Sequence, residues 1–405
     1  MDAKKCLITQ ERLTPETDSF AHIIPLALGG TLKPKGLINR TANDILNKRV
    51  DLRIIKLFNP IMASLGGLRE DGSSPPNTIM TDTNGDKYYT NFATPFRATK
   101  PAFEKTETPE GILYNFHSRD SQDYENHLKR IQKLHPDIDL DIPSALANAT
   151  IVESYPEHPM GYDLNMSENN IFPAIFVMAS LFAEHHKVGA HPLLREYVTN
   201  LSDFHTKELI DNIPLPPDTF YWIPEFEVIA NEPDTHTIFL LACPLKRKAL
   251  ISIELFGIYC GTINVPYEGD EIINEVYGIN ILTGEEVTPD INWDYVLKSD
   301  WRATHKTDDP FIMIRNAKRL ERLITLIERR SLEKELSRLV DRNLADTADR
   351  ENTLENAELL LDGILGDFQN LFDSIADRYT QREHHKTKVD ERPTASSLNK
   401  QQKET

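Results

Sequence analysis

The chain has 405 residues, 40% of them hydrophobic, which is enough for two or three domains with buried cores. Its cysteines, Cys6, Cys243 and Cys260, are scattered and odd in number, so we expect no disulfide framework and a cytoplasmic location. No stretch reaches roughly 18 uninterrupted apolar residues. The first residues lead into no apolar signal segment, so we expect neither a membrane span nor export.

The charge balance differs along the chain. The formal net charge is −18 at pH 7, which opposes binding to a phosphate backbone. Residues 1–60 nevertheless contain ten Lys and Arg against six Asp and Glu. A basic N-terminal segment on an acidic body can confine nucleic acid to one face, although scattered surface lysines are the commoner explanation of so small an excess.

A hairpin is predicted near the start of the chain, after a first strand or knuckle at residues 5–9. Within residues 19–30, a β-prone run around His22 is stopped by Pro25 and turned by Gly29 and Gly30. Each of these features taken alone is ordinary hairpin punctuation, and a lone histidine in a strand is usually a structural residue. Their order and spacing together give the segment its functional interest.

A polar helix is predicted directly after the hairpin. Residues four apart share a helix face, so three oxygen-bearing side chains form one stripe, namely Asn43, Asn47 and Asp51. The apolar side is formed by Ile45, Leu46, Val50 and Leu52. If the hairpin lies against the stripe, His22 and the oxygens meet in one cleft. A general base beside an oxygen-bound divalent cation could hydrolyse a phosphodiester there.

These residues together resemble the HNH, or ββα-metal, endonuclease family, in the subgroup where a Glu-His-Ile-Ile-Pro strand precedes a Cys-x-x-Cys-Asn helix start. The matching segments are His22–Pro25, Gly29–Gly30 and Leu37–Asn43. The resemblance implies that His22 is the general base that activates water. It also implies that Asn43 helps to bind the catalytic cation, which is often magnesium.

The helix spacing, the local charge and the resemblance together predict a set of site residues. The metal ligands are Asn43, with Asn47 and Asp51 as further oxygen donors, and the cofactor is Mg²⁺ or alternatively Mn²⁺. Basic residues that flank the proposed cleft are expected to bind phosphates of DNA, namely Lys33, Lys35, Arg40, Lys48 and Arg49.

The chain departs from the family pattern at two places. Ala21 stands where many members have a metal-binding Asp or Glu, so one metal ligand is missing unless Asp18, Asn47 or Asp51 supplies the oxygen, although some subfamilies do carry Ala-His-Ile. Cys6-x-x-Thr9 and Asn39-x-x-Ala42 replace two Cys-x-x-Cys pairs. Because one thiolate cannot hold a tetrahedral zinc, we expect no structural zinc and expect packing against the following domain to hold the module.

The middle of the chain predicts a mixed domain. After a break at Asn59–Pro60, residues 78–116 predict strands and turns, with a hairpin at Asn84–Gly85. Helices are predicted at 123–134, 171–186 and 193–201, and an antiparallel meander at 236–243, 249–254 and 257–265. The nearby His185, His186 and His191 favour a helix C-terminal cap over a metal site.

The C-terminal part predicts two long amphipathic helices joined near residues 346–349. Their apolar stripes suit a homodimer, a protein partner or an intramolecular arm. We thus predict an α+β protein with a ββα-metal HNH module at 1–58, an accessory α+β domain with antiparallel strands at 59–305, a helical hairpin or coiled-coil arm at 306–380 and a disordered tail at 381–405.

The leading functional hypothesis is a metal-dependent HNH endonuclease that cuts DNA, with defence against phage or foreign DNA as a natural role. The alternative is a degenerate HNH module that binds DNA or supports assembly without cleavage, which Ala21 and the lost cysteine pairs motivate. A third hypothesis is that the terminal helices bind a protein partner that switches the nuclease on.

Overall fold

The computed structural model describes residues 4–92, 94–99, 103–109, 111–116, 118, 121–148, 160–162, 164–202, 214–222, 232–301, 310–348 and 353–390. No helix in these ranges is both long enough and apolar enough to cross a membrane. The chain divides into two compact units. The first comprises Met1–Thr78, Asn91–Thr94 and Asp163–Ser331, and the second comprises Ile79–Thr90, Pro95–Tyr162 and Leu332–Thr405.

The strands of the described residues are β1 (Asp18–Ser19), β2 (Ile38–Asn39), β3 (Thr78–Asp82), β4 (Lys87–Asn91), β5 (Thr94–Ala98), β6 (Phe103–Thr108), β7 (Gly111–Phe116), β8 (Met160–Gly161), β9 (Thr219–Phe220), β10 (Thr235–Cys243), β11 (Lys248–Leu255), β12 (Ile258–Pro266), β13 (Ile273–Asn280) and β14 (Glu286–Val287). The helices are α1 (Arg40–Leu46), α2 (Leu52–Leu65), α3 (Ser121–Leu134), α4 (Ile142–Ala147), α5 (Glu168–His185), α6 (Leu194–Ser202), α7 (Trp293–Lys298), α8 (Pro310–Thr347) and α9 (Leu354–Asp390).

A six-stranded antiparallel sheet lies at the centre of the first unit, in the order β14–β13–β10–β11–β12–β9. The predicted meander is confirmed as β10, β11 and β12, with Leu240 paired to Ile251. Side chains alternate along a strand. Leu240 joins one core cluster, whereas Phe239 and Leu241 join the other. Because both faces are covered, these strands read as continuous apolar runs in the sequence.

The predicted apolar helix is confirmed as α5, which covers one face of this sheet. Residues 171–183 of α5 are all buried, and the helix lies against β9, β11 and β12. Gly261 of β12 permits the close approach, since a Cβ there would lie 3.3 Å from Cγ2 of Ile175. Trp222, Trp301 and α7 pack on the opposite face.

The N-terminal hairpin and helix belong to the same unit. β1 pairs antiparallel with β2, and α1 continues through a π-helical turn, Asn47–Asp51, into α2. This π-helical turn and α2 contact α5. Their buried face repeats every four residues, at Ala42, Leu46, Val50, Ile54 and Phe58. A strand pair followed by a helix therefore lies in this segment and packs on α5, but the predicted β-prone run at His22–Ile24 forms no strand, and the two short strands lie on either side of it.

Two predicted ends need correction. The sequence predicts a break at Asn59–Pro60, but α2 continues through Pro60 to Leu65, because buried Ile61 and Met62 offset the cost of the missing N–H. The predicted module boundary at residue 58 therefore falls inside a helix. The predicted disordered tail begins too early, since α9 extends to Asp390.

The residues that extend α9 are rich in Gln, Arg, Glu and Lys, which favour helix without any apolar periodicity. The remaining tail residues, 391–405, and the predicted boundary at 305–306 lie outside the described residues.

The second unit contains a four-stranded sheet in the order β5–β4–β3–β8 and a separate β6–β7 hairpin. The predicted hairpin at Asn84–Gly85 is confirmed between β3 and β4, where Asp82 Oδ1 accepts the N–H of Asn84 at 2.9 Å. The predicted helix at 123–134 is confirmed as α3. Its His127 ring stacks on Phe103 of β6.

The two long C-terminal helices are confirmed as α8 and α9. Within the second unit, Asn343 of α8 donates a side-chain N–H to Asp367 of α9 at 2.6 Å, and Arg342 donates to the same carboxylate at 2.5 Å. Leu339 and Leu371 are buried. Leu361, Leu365 and Phe372 of α9 remain about half exposed.

Candidate functional site

His22 lies on the outer face of the N-terminal hairpin. The two hairpin arms run side by side, because Ala21 N–H donates to Pro34 O at 3.2 Å and Ile23 N–H donates to Leu32 O at 3.0 Å. The side chains of Ala21 and Ile23 are buried. Since side chains alternate along an extended arm, His22 points to the other side, where 24% of its side chain stays exposed.

The predicted Gly29–Gly30 turn is present, and both positions require glycine. Gly29 has φ 85°, a left-handed conformation that a side chain disfavours. A Cβ on Gly30 would lie 2.1 Å from Ile24 O, and a Cβ on Gly29 would lie 2.9 Å from Leu68 O. The turn therefore brings the hairpin tip into contact with the segment that follows α2.

Two side chains of the central sheet hold this hairpin in place. His236 donates Nε2–H to Leu28 O at 2.8 Å, and its Nδ1 accepts the N–H of Phe256 at 3.0 Å. Burial lowers the pKa of His236 to about 4, so the ring is neutral and can both donate and accept. The hydroxyl of Tyr277 on β13 accepts the N–H of Thr31 at 3.0 Å.

His22 contacts a carboxylate rather than solvent alone. Its Nε2 lies 2.8 Å from Glu70 Oε2, and Lys33 Nζ donates to Glu70 Oε1. The hydrogen bonds from Lys33 and His22 lower the pKa of the Glu70 carboxyl, which is therefore ionised at neutral pH. A carboxylate only accepts, so a neutral His22 donates Nε2–H and keeps its lone pair on Nδ1. A histidine held in this tautomer can take a proton from water.

Sequence reasoning did not identify Glu70. It lies in the turn-rich segment after α2, which predicts only a boundary or an exposed loop. In the structure, Leu68 N–H donates to Ile281 O at 2.7 Å and holds this segment against the end of β13. Glu70 is 48 residues from His22 in the chain, so no local spacing could reveal the pair.

The predicted oxygen stripe crosses an irregular part of the helix. In the π-helical turn Asn47–Asp51, the N–H of Leu52 bonds to Asn47 O, five residues earlier. In an α-helix, a side chain four residues further along is rotated about 40° beyond a full turn around the helix axis. The wider π-helical turn reduces this extra rotation. Asp51 therefore stays closer to the line of Asn43, and both are half-buried. Such π-helical turns often occur at functional sites.

Asp51 has the chemistry of a cation ligand. Desolvation raises the pKa of its carboxyl from 3.8 to about 6, so its charge lacks compensation. A divalent cation would supply that charge, and the amide oxygens of Asn43 and Asn47 are suitable hard donors. No group of three His, Cys, Asp or Glu suited to a metal ion occurs among the described residues, and the predicted set holds one such residue.

The structure places His22 with Glu70, and within the described part of the chain no hydrogen bond joins His22 to Asn43. The predicted meeting of His22 and Asn43 in one cleft therefore stays a prediction.

The four positions that replace the cysteine pairs lie together. Cys6 Sγ accepts the N–H groups of Thr9 and Asn39, each at 3.4 Å. Asn39 Nδ2 donates to Thr9 Oγ1 at 2.8 Å, and Asn39 Oδ1 accepts the N–H of Ala42 at 2.9 Å, which caps α1. Hydrogen bonds thus connect the turn at Cys6 to the start of the helix.

The five predicted phosphate-binding residues occupy two elements. Lys33 and Lys35 are exposed on the second arm of the hairpin, and Lys35 Nζ lies 4.4 Å from the centroid of the Phe20 ring. Three others lie on the following helix, with Arg40 and Lys48 exposed and Arg49 half-buried. Lys33 therefore belongs to the ion pair at His22 as well as to the basic surface.

No family model, curated protein or solved structure matches this chain. The candidate site consequently depends on its own geometry: His22, Glu70 and Lys33 at the hairpin, and the oxygen stripe on the helix.

Proposed function

We propose that the N-terminal segment is an HNH-type ββα-metal endonuclease module that hydrolyses phosphodiester bonds of DNA. The contact between His22 Nε2 and Glu70 Oε2 carries this proposal. It supplies a partly exposed imidazole in a defined tautomer on a hairpin that a helix follows. General-base activation of water needs such a group.

The chain's own residues account for the proton transfer. His22 Nδ1 accepts a proton as the water oxygen attacks phosphorus, and the Glu70 carboxylate stabilises the imidazolium that forms. The phosphorus–oxygen bond to the departing nucleotide breaks, and the released oxygen takes a proton from solvent. Lys33 stabilises the Glu70 carboxylate, because its hydrogen bond is the largest cause that lowers the carboxyl pKa. Glu70 acts through His22 and is a positioning residue, not a catalytic one.

Magnesium or manganese would be held by Asn43, Asn47 and Asp51, and when bound would offset the charge that develops on the phosphate. Asp18 is the alternative carboxylate for the metal ligand that the family has at the position of Ala21. Its Oδ1 already accepts the N–H of Gly36 at 3.0 Å, so Asp51 is the better candidate for that ligand.

A DNA-binding or assembly module without cleavage is the second candidate. Ala21 in place of a carboxylate favours it, because an active site with fewer charged ligands holds a cation less firmly. The basic residues of the hairpin and helix would serve such a module equally well.

The test is plasmid cleavage with magnesium or manganese. We expect His22→Ala to reduce the rate by at least about a hundredfold, the usual contribution of a general base. Glu70→Gln should reduce it by roughly ten- to a hundredfold, as for other residues that orient a catalytic group. His185→Ala is the matched control, since this exposed histidine lies at the end of α5 and should leave the rate unchanged.

Cleavage by His22→Ala at the wild-type rate would contradict the assignment of the base. No cleavage by the wild type with either metal, together with retained DNA binding, would favour the binding module.

A further inference from the structure

We propose that the hairpin face beside His22 binds single-stranded nucleic acid, with Phe20 as the platform on which an unpaired base stacks and Lys35 as the contact for a neighbouring phosphate. The inference rests on the proposed function, because it names the form in which the substrate reaches His22. Neither Phe20 nor a stacking contact is part of the chemistry described above.

Phe20 lies on the same face of the hairpin as His22. Side chains two residues apart on an extended arm point the same way, and Ala21 between them is buried. The Phe20 side chain is 49% exposed although it is a large apolar group. A base that stacks on this ring would place its backbone within a short reach of His22.

The second arm places positive charge over the Phe20 ring. Lys35 Nζ lies 4.4 Å and Lys33 Nζ 5.8 Å from the Phe20 ring centroid. Lys33 also bonds to Glu70, so Lys35 is the lysine that remains for a phosphate. An aromatic ring flanked by cations is the usual arrangement for binding a single strand, where the bases stack and the backbone is neutralised.

The ring selects a single strand over a duplex. The bases of a duplex are already stacked on each other, whereas an unpaired base offers a free face. Phenylalanine has no hydrogen-bonding group that reads base edges, so we expect little sequence preference.

The experiment is fluorescence anisotropy of labelled oligo-dT, oligo-rU and a duplex of equal length, with full-length protein in EDTA. Phe20→Leu should weaken binding of a single strand by at least about fivefold and change duplex binding little. Phe20→Trp should retain single-strand affinity, because tryptophan also stacks. Lys35→Ala should lower the slope of log affinity against log salt by about 0.7.

Two control positions lie at the start of β11 or in the turn before it. The N-terminal hairpin contacts His236, which bonds to Phe256 just after the other end of β11. The length of the strand separates the two places by roughly 20 Å. Leu245→Ala removes a side chain that is 94% exposed, and Lys248→Ala removes an exposed lysine. Neither should change binding. Thermal unfolding of each variant shows whether it is folded.

Unchanged single-strand binding by folded Phe20→Leu overturns the inference, as does an equal loss for the duplex. Cleavage of single-stranded DNA at the same rate by Phe20→Leu and wild type also overturns it, while the nuclease proposal stands. Phe20-dependent binding without any cleavage supports the inference and contradicts the nuclease.

Discussion

Asp51 is a predicted metal ligand, and its ionised carboxyl also destabilises the folded protein. Its carboxyl is half-buried, and desolvation is the cause of its raised pKa of about 6. In the unfolded chain the same group ionises near 3.8. The free energy of unfolding therefore falls as the pH rises from about 4 to about 6, because the unfolded state loses its proton first.

Asp51→Asn should remove this pH-dependent cost. We expect it to raise the free energy of unfolding at pH 8 by up to about 3 kcal/mol, and to have little effect at pH 4, where the wild-type carboxyl is protonated. Urea unfolding at both pH values measures the difference. Asp44→Asn, an exposed position on α1, is the control. An equal effect of Asp51→Asn at the two pH values would contradict the explanation.

The same pair of variants tests the predicted metal ligand. A cation that binds the folded protein raises its melting temperature by mass action. MgCl₂ should therefore raise the melting temperature of the wild type and of Asp44→Asn at pH 8, and of Asp51→Asn less. An equal increase for all three would show that Asp51 is not a ligand.

At the scale of elements, a buried ion pair attaches the first part of α8 to the hairpin that joins β11 and β12. Arg319 Nη1 lies 2.7 Å from Glu254 Oε1 and donates to Gly257 O at 2.9 Å. Both charged side chains are nearly completely buried. In the turn between β11 and β12, Phe256 has φ 57°, which is in the left-handed region. Its ring packs edge to face with the His236 ring, and this contact helps to maintain the conformation.

Arg319→Met should destabilise the protein by about 3–5 kcal/mol, because it leaves the Glu254 carboxylate buried without its arginine. The double variant Arg319→Met/Glu254→Met should recover most of this loss, since both charges are then removed. Urea unfolding provides the comparison. Lys318→Met, the exposed neighbour on α8, should change stability little. A double variant no more stable than Arg319→Met would argue against the ion pair as the cause.

At the scale of the whole molecule, the proposed nuclease module is not an independent domain. Its hairpin is held by His236 and Tyr277, which lie on β10 and β13, and its helix packs on α5. The core that contains Ile24 and Leu46 is the same core that contains Phe176 of α5. Stability of the site therefore depends on residues that are far away in the sequence.

A fragment of residues 1–58 should not fold, because it ends inside α2 and lacks the sheet and α5. We expect no cooperative unfolding transition by circular dichroism and no dispersed amide spectrum by NMR. In the full chain, Tyr277→Phe should lower the melting temperature, since the N–H of Thr31 loses its acceptor. A cooperatively folded fragment would show that the hairpin and helix are self-sufficient.

The sequence by itself determined the local elements: the turn at Gly29 and Gly30, the apolar helix α5, the meander of β10 to β12 and the two long helices. Their signals are glycine positions and hydrophobic periods, which act over a few residues. Tertiary structure alone decided that Glu70 contacts His22, that Asn39 bonds to Thr9 and that Tyr277 holds the hairpin. These contacts join residues that are distant in the chain, so packing of the core, and no local pattern, brings them together.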